Sequence, residues 1–180
     1  MERDLTHVAL FAALVAILGL VPQVTLASGV PISGQSLGIM LCGTVLGPRR
    51  GVLAVLLFLV MVAAGLPLLS GGRGGLGVFV GPTAGFLAGY PFAALVAGWV
   101  TSRRQLPVGL AAGLGAATGG ILVLYAFGIS GMALVLGKTL PEATVLVLAF
   151  LPGDILKAVL AGFITAALAR MRPASLLSRG

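Results

Sequence analysis

Asp154 and Lys157 stand three residues apart inside an otherwise apolar run from Ala143 to Ala169. A charged side chain at mid-bilayer costs about 3 kcal/mol or more, so membrane helices keep one mainly where protein buries it and it is useful. At helical spacing the two lie on one face, about 60° apart, and can pair with each other or converge on a polar ligand. The carboxylate accepts from N–H groups and the ammonium donates to a carbonyl or carboxylate, so the chemistry on offer is recognition of a polar guest within the membrane. The plainer reading is an ion pair that locks two helices together, but buried pairs contribute little net stability. Pro152 and Gly153, just ahead, can break or start a helix and so place Asp154 in an N-terminal turn, where the helix dipole favours a carboxylate.

Other residues are candidates for the same guest. Gly81-Pro82-Thr83 opens an apolar segment, and Phe79, Thr83, Phe86 and Tyr90 are candidate pocket walls. Gly81, Gly85 and Gly89 recur every four residues, which also suits plain helix packing. Gln35 offers an uncharged amide that can bond a ligand or satisfy a helix end. Arg73 sits in a Gly-rich segment and can meet a carboxylate through a charge-assisted bond, or serve only as a solvated topological charge. Along the first apolar run Ala9 and Ala13 form one small-xxx-small pair and Ala12 and Ala16 another, a flat face for a helix of this chain or of a partner subunit.

Several other chemistries are excluded. Gly72-Arg73-Gly74-Gly75-Leu76-Gly77 fits a dinucleotide fingerprint in letters only, for it opens no Rossmann unit and no acid follows about 20 positions on. Gly131 to Thr139 has five residues between its glycines, where a phosphate loop needs four. The single histidine, His7, and four acids leave no metal set and no carboxylate dyad. Hence no cofactor and no enzyme activity are expected on this chain. Cys42, the one cysteine, reads as a small buried hydrophobe.

The elements that must position these residues follow from composition. Of the 180 residues 59% are hydrophobic and 8% charged, which marks an all-α integral membrane protein with a single membrane domain over 1–180 and no soluble head. Six apolar runs predict transmembrane helices near 5–21, 34–47, 51–66, 82–101, 107–128 and 143–171. The first reads as a helix rather than a cleaved leader, because Glu2 and Asp4 flank its one arginine. The second rises only about 21 Å against a hydrocarbon core of about 30 Å, so it is expected either to extend through Val30–Ser33 or to be sheltered by its neighbours.

Arg3, Arg49, Arg50, Arg103, Arg104, Arg170, Arg172 and Arg179 all fall on one side of this arrangement, and only Arg73 and Lys138 on the other. The positive-inside rule makes both termini cytoplasmic and accounts for the formal charge of +7 without a nucleic-acid partner. Lys157 then lies about 20 Å above Arg170, in the outer part of the membrane, on the side of the Gly-rich loop from Leu68 to Val80. A site open to the exterior and capped by a loop suits capture of a solute from outside.

Five separated motifs carry a resemblance: Pro31-Ile32-Ser33-Gly34-Gln35, Leu46-Gly47-Pro48-Arg49-Arg50-Gly51, Gly65-Leu66-Pro67, Gly81-Pro82-Thr83 and Pro152-Gly153-Asp154-Ile155-Leu156-Lys157. Together they make nearly the whole chain resemble the BioY family, the biotin-specific S components of energy-coupling factor (ECF) transporters. That resemblance implies the ECF S-component fold in a bacterial cytoplasmic membrane, biotin as transported ligand, and partners that supply the energy: a transmembrane coupling protein and ABC-type ATPases that hold the ATP. It also implies that the alanine face of the first helix meets the coupling protein. Where the family often has Gly-Gly-Tyr after Gly-Pro-Thr, this chain has Ala84-Gly85-Phe86 and loses a phenol. Asp154 is the expected partner of the biotin ureido group, and its carboxylate falls to Lys157 or Arg73. Two alternatives stand beside this one: a self-sufficient transporter driven by protonation of Asp154, and an S component for another water-soluble vitamin.

Overall fold

The computed structural model describes residues 2–21, 24–25 and 31–179. Eight α-helices occur among them: α1 (Glu2–Leu20), α2 (Gln35–Leu46), α3 (Pro48–Ala63), α4 (Ala84–Thr101), α5 (Val108–Ala117), α6 (Leu124–Leu136), α7 (Leu140–Leu148) and α8 (Leu151–Met171). A π-helical stretch, Thr118–Val123, joins α5 to α6 into one continuous element. By length and composition α4, Val108–Leu136 and α8 are able to cross a membrane, while Asp4–Leu20 and α2 are shorter apolar helices.

Helix α2 is apolar on every side, and ten of its twelve residues are buried. It packs against α1, α3, α4, α5 and α8. A helix so enclosed need not span the hydrocarbon by itself, because its exposed backbone ends are covered by protein. This is the sheltered alternative. The extension does not form: Pro31–Ile32 is a short strand paired antiparallel with Val24–Thr25, and Val30 lies outside the described residues. Gly47, at φ +83° and ψ 177°, makes the reversal from α2 into α3, a conformation open to glycine alone. Pro48 then takes the first turn of α3, where a missing N–H leaves no bond unmade.

Other boundaries differ from the expectation for physical reasons. The fifth run does not stop at Gly128 but continues to Leu136, where Gly137 adopts the left-handed conformation that ends helices. Gly128 is a packing glycine, since a Cβ there would strike the Phe86 ring. The sixth run is two helices, because Phe150 caps α8 and Pro152 occupies its first turn. The third begins at Pro48 rather than Gly51 and ends at Ala63, ahead of Gly65 at φ +101°. Helix α4 begins at Ala84, with Pro82 in the turn before it. Of the expected glycine stripe, Gly85 and Gly89 abut α6 at Phe127 and Gly131, whereas a Cβ at Gly81 would meet only the Gly77 and Val78 carbonyl oxygens, at 3.9 Å.

One end of the molecule collects the chain's basic segments. Asp4 pairs with Arg50 at 2.9 Å. The carbonyls of Thr101 and Arg103, left without helical partners at the end of α4, accept from Arg179 at 2.9 Å each. Arg104 in turn donates to the Arg179 carbonyl. These bonds put the start of α1, the α2–α3 and α4–α5 connections and the last described residues side by side.

Candidate functional site

At the opposite end, the first turn of α8 carries Asp154, 4% exposed, and the next turn carries Lys157. Lys157 Nζ donates to Asp154 Oδ1 at 3.0 Å and to the Ser36 hydroxyl at 2.9 Å. Ser36, on the first turn of α2, donates to the same Oδ1 at 2.9 Å, which closes a triangle between two helices. From α6 the Tyr125 hydroxyl donates to Asp154 Oδ2 at 2.9 Å. A carboxylate has about four acceptor positions and an ammonium three protons. Three acceptors and two protons are engaged here, so one acceptor on Oδ2 and one N–H of Lys157 are left over. A donor and an acceptor side by side match a cyclic urea or another amide-like group.

The cluster borders a cavity of about 60 Å³ whose lining includes Ser33, Leu69, Arg73, Thr83, Phe86, Leu87, Tyr90, Leu124 and Phe150. That volume is well below the roughly 300 Å³ of a small-molecule pocket. Its wall at the Gly-rich segment is a tight turn. Leu69 N–H donates to the Arg73 carbonyl at 2.9 Å, and Gly71, Gly72 and Gly75 hold positive φ. Phe86 and Phe150 meet edge to face, with ring centroids 6.0 Å apart, and supply an aromatic wall. A larger apolar groove of about 750 Å³ runs between α5 and α8, and its one charged lining residue, Arg170, leaves it poor in groups for a polar solute.

The structure therefore gathers Asp154, Lys157, Arg73, Thr83, Phe86 and Tyr90 around one cavity. Gln35 also borders it, yet its amide is engaged elsewhere. Nε2 donates to the carbonyls of Leu68 at 3.1 Å and Val15 at 3.5 Å, and Oε1 accepts from the Ser70 N–H and hydroxyl at 3.1 and 3.2 Å. Phe79 does not reach the cavity lining; it lies in a 3₁₀ turn and packs partly buried against the core. The alanines of α1 divide. Ala12, 1% exposed, belongs to the internal core and has no surface for a partner, which corrects its assignment, and Ala16 packs partly buried beside it. Only Ala9 and Ala13 face outward.

Ser36 and Tyr125, which bond to Asp154, and Phe150, which lines the cavity, were not singled out in the sequence. The hydroxyl of Tyr125 inside an apolar run carried the same signal as Asp154, more weakly. Ser36 gave none, because its partners lie 118 and 121 positions away. Among the described residues no three His, Cys, Asp or Glu side chains come together as a metal ion would need.

Comparison with known proteins bears directly on this geometry. The model of the BioY family matches residues 2–174. A biotin transporter BioY of Rhodobacter capsulatus is 53% identical over the full length of both chains. Its namesake in Rhizobium etli is 50% identical over 90% of each. A probable biotin transporter BioY of Bacillus subtilis is 41% identical over 89% of this chain and 87% of its own. Among solved structures, the S-component for biotin from an ECF-type ABC transporter superposes with a TM-score of 0.88 at 28% identity, covering 97% of this chain and 96% of that one. The helical fold described above is thus the S-component fold.

Proposed function

We propose that this chain, which belongs to the BioY family, is the biotin-capturing S component of an uptake system in the cytoplasmic membrane, with a coupling protein and ATPases on separate chains. The observation that carries the reading is the buried Asp154–Lys157–Ser36–Tyr125 cluster at the edge of an aromatic-walled cavity. Biotin carries two ureido N–H donors beside one carbonyl, an apolar ring and chain, and a terminal carboxylate. The free acceptor of Asp154 takes a ureido N–H, the free N–H of Lys157 takes the ureido oxygen, and Phe86, Tyr90 and Phe150 cover the apolar ring. Six spans, counted as α1, α2, α3, α4, Val108–Leu136 and α7 with α8, and cytoplasmic termini go with this reading. Support comes from the basic residues gathered at the end away from the cluster. The chain itself performs no chemistry on the vitamin.

Equilibrium binding of labelled biotin to the detergent-purified protein tests the assignment. Loss of one charge-assisted bond weakens binding by about 1.5–3 kcal/mol, so Asp154→Asn is expected to raise Kd roughly ten- to a hundredfold. An unchanged Kd in both Asp154→Asn and Lys157→Ala sinks the site.

A further inference from the structure

Resting on the biotin reading, the geometry points to Arg73 as the residue that selects the ligand's free carboxylate, held in place for that purpose by Gln35 through Ser70. Two cations border the cavity, Lys157 and Arg73. Lys157 is an unsuitable anion receptor, because Asp154 lies 3.0 Å away and already neutralises it, and a second carboxylate brought there would face the first. Arg73 has no such partner. Its Nε donates to the Ser70 carbonyl at 3.1 Å, and neither terminal amino group makes a hydrogen bond or ion pair among the described residues. A guanidinium fixed at Nε with both amino groups free is a planar fork, the shape that takes a carboxylate through two parallel bonds.

The fixing is itself built from buried parts. Ser70 is 1% exposed and Gln35 2% exposed, and both the N–H and the hydroxyl of Ser70 end on Gln35 Oε1. The other end of the Gln35 amide grips Leu68 of the same loop and Val15 of α1. A cationic loop residue that served only as a solvated topological charge would need no buried relay behind it. Gln35 is accordingly a positioning residue that acts through Ser70, and Arg73 is the one that touches ligand. Specificity follows: the protein distinguishes biotin from a derivative whose carboxylate is masked, although the ureido end is identical in both.

The test is the ratio of affinities for biotin and for biotin amide, measured on the purified full-length protein by competition against labelled biotin. The unmodified protein is expected to prefer the acid by about ten- to a hundredfold. In Arg73→Gln the affinity for biotin falls by more than that for the amide, so the ratio drops toward one, and Arg73→Lys keeps part of the preference. Ser70→Ala, which keeps the loop backbone bond to Gln35, lowers the ratio less than Arg73→Gln does. General damage to the fold lowers both affinities together and leaves the ratio alone. Equal affinities in the unmodified protein, or a ratio that survives Arg73→Gln and collapses in Lys157→Gln, overturn the assignment to Arg73 while leaving biotin capture standing. Failure of the unmodified protein to bind either compound removes both readings at once.

Discussion

Asp154 is held by donors from three helices, and each can be tested by removing it alone. Tyr125→Phe keeps the ring that packs in the core but strips the donor from Oδ2, leaving a buried carboxylate oxygen short of one bond. The expected loss is about 1–3 kcal/mol in folding stability, read as a lowered melting temperature in detergent. Thr83 gives the opposite sign. Its hydroxyl, on a residue 6% exposed, has no hydrogen-bond partner among the described residues. Thr83→Val preserves the shape and removes a polar atom buried without compensation, so the ligand-free protein is expected to melt no lower than the parent and up to a few degrees higher; a clear drop contradicts the orphaned hydroxyl. The acid and base of this cluster were legible in the sequence because hydrocarbon makes charge conspicuous. Ser36 and Tyr125 were not, since a serine or tyrosine in a membrane helix is ordinary and only tertiary packing shows that both reach Asp154.

Among the elements, glycine was the residue hardest to read. A glycine within an apolar run marks either an end or a close approach, and the letters are the same for both. Gly137 ends α6, whereas Gly128 and Gly131 lie inside it and let α4 come near. Around Gly131 the approaching atoms are the backbone of Gly85, which no side-chain adjustment can move aside. Gly131→Val is therefore expected to separate α4 from α6 and destabilise the protein by about 1–3 kcal/mol. Gly153 makes the matched control, because a Cβ there meets nothing within 4 Å and its φ is ordinary. Gly153→Ala should leave stability unchanged or raise it by about 0.5–1 kcal/mol through helix propensity, and thermal unfolding of the two variants side by side separates packing from propensity. Run positions were legible from hydropathy alone. The break before α8 was legible in Pro152 and Gly153, whereas the end of α6 at Gly137 was not, because a glycine inside an apolar run can as well be a packing residue.

On the scale of the whole molecule, the Asp154 cluster and the basic end are different regions. Five motifs spread from Pro31 to Lys157 made the family legible, because they hold turns that shape the fold, such as Gly47 and Pro48 between α2 and α3, and the Asp154–Lys157 pair. Which edge of the α1 alanine stripe lies outward was not legible. An alanine stripe has two edges, and nothing in its spacing tells which edge the rest of the chain already covers. Packing decides it: Ala12 is 1% exposed inside the core, while Ala9 and Ala13 are left on the outside of α1. If Ala9 and Ala13 are the face offered to the coupling protein, a bulky side chain there blocks close helix contact without touching the cavity. Ala13→Trp is then expected to bind biotin like the parent in detergent yet to lose ATP-driven uptake in cells that supply the coupling protein and ATPases. Ala12→Trp should instead fail by unfolding, because the core has no room for it. Normal uptake by Ala13→Trp moves the coupling surface to another helix, and loss of biotin binding by that variant shows that α1 supports the cavity directly.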